Sequence, residues 1–298
     1  MASSSVPLLM KDEEPRKRAE LPSELISSIM LRLGAIEILE NAQKVCKSWR
    51  RVSKDPLIWR KIDMHHDLGD WRISNYDLEI MCRHAVDRSQ GGLVEIDIWH
   101  FGTDNLLKYI ADSSSNLRSL RLANCDQISD EGVVEAVVKL PLLEDLEISN
   151  SYEFSGKSLR VVGQSCPNLK TLKLNCSPVT HDFFNSDRDK IAISIAESMP
   201  ELRHLQLYGN GLTNTGLNAI LDGCPHLEHL DLRECFNIDL VGDLEKRCSE
   251  RIGVLRRPND STDDFPLAMF LESESDYDSD YTYGYDRDFP FASEFHGD

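Results

Sequence analysis

Histidine beside a carboxylate, and cysteine at metal-ligand spacing, are the residue sets from which a sequence builds hydrolytic or metal chemistry. The candidates here are the run His65-His66-Asp67, the pair His204 and His229, and eight cysteines. No nucleophile motif accompanies His65-His66-Asp67. His204 and His229 are neighbouring-imidazole candidates that would respond to pH near the ordinary value of about 6.5. The cysteines show no C-x-x-C spacing, and no H-E-x-x-H occurs, so a zinc site is unsupported. They recur instead in matching phrases, Ser165-Cys166-Pro167 and Gly223-Cys224-Pro225. A thiol that returns in the same phrase is a small apolar side chain filling the same niche, so buried structural thiols are expected. Neither catalysis nor a cofactor is expected.

The elements that would position these residues are set by leucine. The pattern Leu-x-x-Leu-x-Leu (or Ile) appears at Leu117/Leu120/Leu122, Leu143/Leu146/Ile148, Leu169/Leu172/Leu174, Leu202/Leu205/Leu207 and Leu227/Leu230/Leu232, with a weaker leader at Leu93/Ile96/Ile98. First positions step by 24, 26, 26, 33 and 25 residues. Such a period marks a leucine-rich repeat solenoid, whose work is to present a surface to another protein. Each unit reads as strand, turn and helix. Ser129 and Thr213 stand as helix caps, and Pro141, Pro167, Pro200 and Pro225 stop the helices. The step of 33 predicts an inserted loop near residues 181–190. Cys125 and Cys235 fall three residues after the last leucine of their motifs, in repeat register.

Upstream, Leu25, Ile26, Ile29, Met30 and Leu33 recur at helical spacing after Pro22, which suits a first helical turn. A second apolar stretch runs through Ile38, Leu39, Ala42, Val45, Cys46 and Trp49. Asp55-Pro56 starts a third helix. Three short helices in about 40 residues cannot bury their own apolar surface, so something else must cover part of it.

The chain has 298 residues and a net charge of −18, which argues against nucleic acid as partner. No run is long and apolar enough to span a bilayer. Residues 258–298 carry twelve acidic groups against one basic, Arg287, in an aperiodic stretch expected to be disordered. Residues 1–19 read as a disordered leader. The expected organisation is therefore α/β: a three-helix unit over 20–62, about six repeats over 75–257, and a disordered acidic tail over 258–298.

Leu21-Pro22-x-x-Leu25…Ile29, then Val45-Cys46-Lys47-x-Trp49-Arg50, then Asp55-Pro56-x-x-Trp59, resembles an F-box. Joined to repeats of the form Leu-x-x-Leu-x-Leu-x-x-Cys/Asn…Asp-x-Gly…Cys-Pro, the chain resembles the F-box/LRR proteins, most closely the plant Skp-interacting type. That resemblance implies a non-catalytic substrate-recognition subunit of an SCF (Skp–cullin–F-box) ubiquitin ligase. The F-box would dock on a Skp adaptor, and through it on cullin and RING subunits, while the repeats hold an unknown protein substrate for ubiquitination and proteasomal degradation. It implies Leu21, Pro22, Leu25, Ile29, Val45, Cys46 and Trp49 as the adaptor-facing and supporting set, and nucleus or cytoplasm as location. The alternative reading is a scaffold or inhibitor solenoid outside any ligase.

Side chains alternate along a strand, so residues between the leucines face the concave surface. They include Trp99, Arg121, Glu147, Lys173, His204, Tyr208, His229 and Arg233. Trp99 and Tyr208 are the expected hot spots, since aromatics lose little entropy on binding. Six strands about 4.8 Å apart make a sheet about 24 Å across, too short to enclose a small ligand but adequate for a protein patch of roughly 800 Å².

Overall fold

Every leucine-led motif becomes a short strand whose leucines point to one side, and the strands stack in chain order. The computed structural model describes residues 21–66, 76–150, 154–176 and 189–265. Eight parallel strands follow one another: β1 (Lys61–Asp63), β2 (Glu95–Trp99), β3 (Ser119–Ala123), β4 (Asp145–Ser149), β5 (Thr171–Asn175), β6 (His204–Gln206), β7 (His229–Asp231) and β8 (Val254–Arg256). The register aligns the motifs: Leu120 pairs with Leu146, Leu146 with Leu172, Leu172 with Leu205, and Leu205 with Leu230. These leucines are essentially inaccessible and share one apolar core. Burying each contributes about 1.5–3 kcal/mol.

The intervening helices pack in line behind the sheet: α4 (Leu78–Ser89), α5 (Asp104–Ser113), α6 (Asp130–Val137), α7 (Gly156–Ser165), α8 (Lys190–Ser198), α9 (Asn214–Gly223) and α10 (Gly242–Arg251). The Ser129 side chain accepts from the Gly132 N–H at 3.1 Å, and that of Thr213 from the Thr215 N–H at 3.2 Å. An aspartate at the start of one helix also accepts from the cap of the next. Asp104 takes the Ser129 N–H and hydroxyl at 2.8 and 2.7 Å, and Asp189 does the same for Thr213 at 2.7 Å each. Asp130 takes the Ser155 N–H at 3.1 Å. These carboxylates explain the glycine of Asp-x-Gly, because a Cβ on Gly132 would lie 1.9 Å from Asp104 Oδ1. After most strands one residue turns the chain through the left-handed region: His100, Asn124, Asn150, Gly209 and Glu234.

At the amino-terminal end, α1 (Ser23–Met30), α2 (Ala35–Glu40) and α3 (Lys47–Val52) precede a 3-10 turn, Pro56–Arg60, capped by Asp55 Oδ1 accepting from the Leu57 N–H at 3.0 Å. The apolar stretch expected to run unbroken from Ile38 to Trp49 is divided. A 3-10 turn at Ala42–Lys44 ends α2, and extended backbone at Cys46 starts α3 afresh.

Three expectations change. The sheet has eight strands, since β1 and β8 extend the six leucine-led ones. β1 belongs to the sheet although its residues fall within or beside the range read as the helical unit. Residues 258–265, read as disordered, are ordered against the sheet. Residues 1–20, most of the inserted loop (177–188) and the acidic tail from 266 onward lie outside the described residues. All eight cysteines are free and six are buried, but Cys46 is exposed and Cys176 half-buried, against the expectation for those two. Burial pushes the Cys125 thiol up to about 11 and that of Cys166 to about 12.

Candidate interaction surfaces

The helical unit is amphipathic twice over. Ile26, Met30, Ile38, Leu39, Ile58 and Trp59 are buried in the core they share with the repeats. Trp59 is fixed there by its indole N–H, which donates to the Ser53 carbonyl at 2.8 Å, and by the Arg88 guanidinium of α4, 5.3 Å from the ring centre. Arg88 also donates to Gln43 Oε1 at 3.0 Å, so the first repeat helix holds the small unit from two sides. The solenoid thus covers one of its faces.

The other face remains open. The Pro22 carbonyl accepts from the Leu25 and Ile26 N–H groups at 3.1 Å and starts α1. That turns Leu21, Leu25 and Ile29 outward, with Leu25 52% exposed. Val45, 63% exposed, and Cys46 lie in the α2–α3 connection. Arg51 donates to Ser23 Oγ at 3.3 Å and ties α3 to α1. Six of the seven residues carried over from the resemblance are exposed, Pro22 among them. Trp49 is half-buried against the core and supports from beneath.

The open face of the sheet departs from the expectation of solvent-exposed anchors. Trp99 is 4% exposed: its indole N–H donates to Asp97 Oδ1 at 2.6 Å, and the His65 ring meets it edge-on at 4.5 Å. His65 thus serves as a cover, a role that the run His65-His66-Asp67 did not announce. Tyr208 is 6% exposed and Arg233 5%, both beneath residues 258–265, whose Phe265 stacks on Tyr208 at 4.0 Å. Glu147 is 8% exposed and its neighbours use it. Arg121 donates to Asp97 Oδ2 at 3.3 Å and sets its Nε 3.1 Å from Glu147 Oε1, off the line of a hydrogen bond. Lys173 reaches Glu147 Oε2 at 3.3 Å. Asp97, Arg121, Glu147 and Lys173 are therefore a ladder of alternating charge across four adjacent strands, each neutralising the next, rather than separate acidic and basic fields.

Burial, opposed by Arg121, pushes the Asp97 carboxyl up to about 6, while burial beside His66 and His65 lowers His100 to about 4. His204 and His229 are half-exposed register partners, stacked at 4.2 Å and 17°. Burial and its neighbour lower the His204 pKa. With Glu228 they put ligand-capable atoms within 4.8 Å of one another. Stacked rings direct their in-plane lone pairs side by side, however, and Glu228 is paired with Arg203. They do not converge on one point.

A family model described as F-box-like matches residues 19–65, and one for the leucine-rich repeat matches residues 113–135. The Arabidopsis thaliana protein named F-box protein SKIP19 is 64% identical over 277 residues, covering 93% of this chain and 88% of its own length. The chain is an F-box/LRR-repeat protein. F-box/LRR-repeat protein 23 of the same plant is 67% identical over 263 residues, and the chain spans 58% of that relative's length. F-box protein SKIP1, also of Arabidopsis thaliana, is 30% identical over 237 residues, covering 73% of this chain and 79% of its own. The F-box match takes in both the exposed apolar face and β1, so it reaches into the first strand of the repeat sheet.

Sequence reasoning missed the inter-repeat aspartates and the ordered segment 258–265. The first were visible in part, as a cap hydroxyl followed by aspartate at Thr103-Asp104 and, one repeat on, at Ser129-Asp130; Asp189 follows Arg188 and carried no such signal. The second had a signal too: Asp264-Phe265-Pro266 recurs as Asp288-Phe289-Pro290 inside the acidic tail.

Proposed function

We propose that this F-box/LRR-repeat protein is the substrate-recognition subunit of an SCF-type ubiquitin ligase. Its F-box docks through Leu21, Pro22, Leu25, Ile29, Val45 and Cys46 on a Skp-type adaptor, which brings the cullin and RING subunits. The open sheet face holds a protein cargo for ubiquitination and degradation. The observation that carries this reading is the apolar face itself: large aliphatic side chains left in water on a unit whose opposite face the solenoid already covers. An exposed patch of that kind marks a binding surface. No step of ubiquitin transfer is assigned to this chain.

The test is a Leu25→Asp/Ile29→Asp double variant, measured against a purified plant Skp adaptor by calorimetry. Both side chains are exposed, so the fold survives and the thermal transition is unchanged. Central apolar anchors cost about 2 kcal/mol or more when lost, so affinity falls at least about thirtyfold. Undiminished adaptor binding by the double variant would overturn the reading.

A further inference from the structure

After β8 the chain turns at Arg257–Asp260 and comes back across the carboxyl ends of β7 and β6. Two side chains of this returning segment enter the face where cargo was expected. The Phe265 ring lies parallel to Tyr208, 4.0 Å away at 17°, and the Arg233 guanidinium stands 5.7 Å from its centre. Phe265 is 7% exposed. Asp264 sits between two arginines: Arg233 Nη1 donates to Oδ1, and Arg256 Nη2 donates to Oδ2 at 3.2 Å.

Part of the receiving side is built independently of its occupant. Arg233 is anchored by its own strand, with Nε and Nη2 donating to Asp231 at 3.0 and 2.7 Å. Its Nη1 is left to face outward, where it also meets the Ser261 carbonyl at 3.1 Å. Tyr208 lies just beyond the end of β6. If the segment departed, the Arg233 guanidinium would stay oriented by Asp231 beside the Tyr208 ring, so that part of the cleft is preorganised, whereas Arg256, 46% exposed, is drawn in by Asp264 itself. The segment's own backbone bonds are mostly local. Asp260 and Phe265 donate their backbone N–H groups to Arg257 and Thr262, within the segment, and it joins the sheet ladder only where Glu234 N–H meets the Pro258 carbonyl at 3.0 Å. Side chains seat the rest.

We propose that Tyr208, Arg233 and Arg256 form a recognition cleft for an acidic residue followed by phenylalanine, that Asp264-Phe265 occupies it in cis, and that cargo carrying the same element enters by displacing it. The ring selects a flat aromatic by stacking and cation–π contact, and the paired guanidiniums select a carboxylate one residue before it. The recurrence of Asp-Phe-Pro at 288–290 gives the chain a second copy of the same element. That cargo is what enters rests on the receptor reading above; the cleft and its dipeptide chemistry do not.

The experiment uses the full chain with Asp264, Phe265, Asp288 and Phe289 all replaced by alanine, so that neither copy can fill the cleft. A fluorescent peptide of residues 258–270 should bind this variant at least tenfold more tightly than wild type. The same peptide with Asp264→Ala and Phe265→Ala should bind neither protein, and adding Tyr208→Ala to the quadruple variant should abolish capture. Absence of binding by a folded quadruple variant, or equal binding by both proteins, overturns the proposal. If the quadruple variant unfolds, wild type is irradiated with a peptide carrying benzophenone at the Phe265 position. Concentration-dependent crosslinking to residues 204–208 supports the cleft, and its absence at saturating peptide overturns it. Adaptor binding, measured on the same samples, stays unchanged in every outcome, so failure here is distinguishable from failure of the ligase reading.

Discussion

Gly132 shows how one residue carries the repeat. Its missing Cβ leaves room for the Asp104 carboxylate, which accepts both groups of Ser129 and so links the cap of α6 to α5. Gly132→Ala must push that carboxylate aside and disturb a cap whose loss costs roughly 1 kcal/mol. The expected result is a fall in melting temperature of about 2–4 °C for a domain of this size. Asp104→Ala removes both the obstacle and the bonds, so the double variant should lose less than the sum of the singles, by about 1 kcal/mol in a double-mutant cycle. Additive losses would show that the contact does not matter. The charged residues on the open face make a second prediction, for pH. The Asp97 carboxyl titrates near 6 in the folded chain, above its unfolded value of about 4, so it weakens folding as pH rises through that interval. His100 titrates near 4, below its unfolded value of about 6.5, so its contribution is present above pH 6.5 and is lost as pH falls toward 4. The two oppose each other over one window. In Asp97→Asn only the histidine remains, and the melting temperature of the variant minus that of wild type should climb between pH 4 and pH 7. A flat difference would mean the carboxyl is not raised.

The elements were legible where apolar period and turn chemistry agreed. The six leucine motifs became β2 to β7, in the register that the leucines alone require, since a slip of one residue would turn them all to solvent. Capping hydroxyls at Ser129 and Thr213 were readable for the same reason: local chemistry decides them. β1 and β8 were not readable, because Lys61-Ile62-Asp63 and Val254-Leu255-Arg256 lack the leucine triplet. They are strands because a neighbouring edge supplies their hydrogen bonds. The open face was legible by position and misread by exposure. Alternation correctly put Trp99, Tyr208 and Arg233 on the sheet's far side from the leucines. It cannot reveal that His65 and Phe265, distant in sequence by 34 and 57 residues from Trp99 and Tyr208, fold over them. The aromatic anchors are therefore covered by the chain itself, and of the charge ladder Asp97, Arg121 and Lys173 stay half-exposed while Glu147 is buried.

Taken whole, the molecule has one apolar core that runs from Ile26 in α1 to Ile252 beyond α10, and the F-box is its first layer. The expectation that the helical unit needs a cover is met on one side by the solenoid: Ile58, Trp59, Ile62 and Met64 are buried in the core shared with the repeats, and Arg88 of α4 spans the junction. In repeat architectures each layer leans on its neighbours, so stability is a sum of weak units and strong interfaces. Cut at residue 65, the F-box would keep α1 to α3 but return Trp59 and Met64 to water and lose the Arg88 contacts. A unit of that size has little core to spare. A fragment of residues 15–65 should accordingly show no cooperative thermal transition by circular dichroism, and the Skp-type adaptor alone should not fully restore one, because it covers the opposite face. A fragment of residues 15–125, which adds α4, β2, α5 and β3, should melt cooperatively and match the full chain in its measured affinity for the proposed Skp-type adaptor. A sharp transition in the shorter fragment would show that the F-box is self-sufficient and that its fusion with the repeat core is an accident of sequence order rather than the source of its stability.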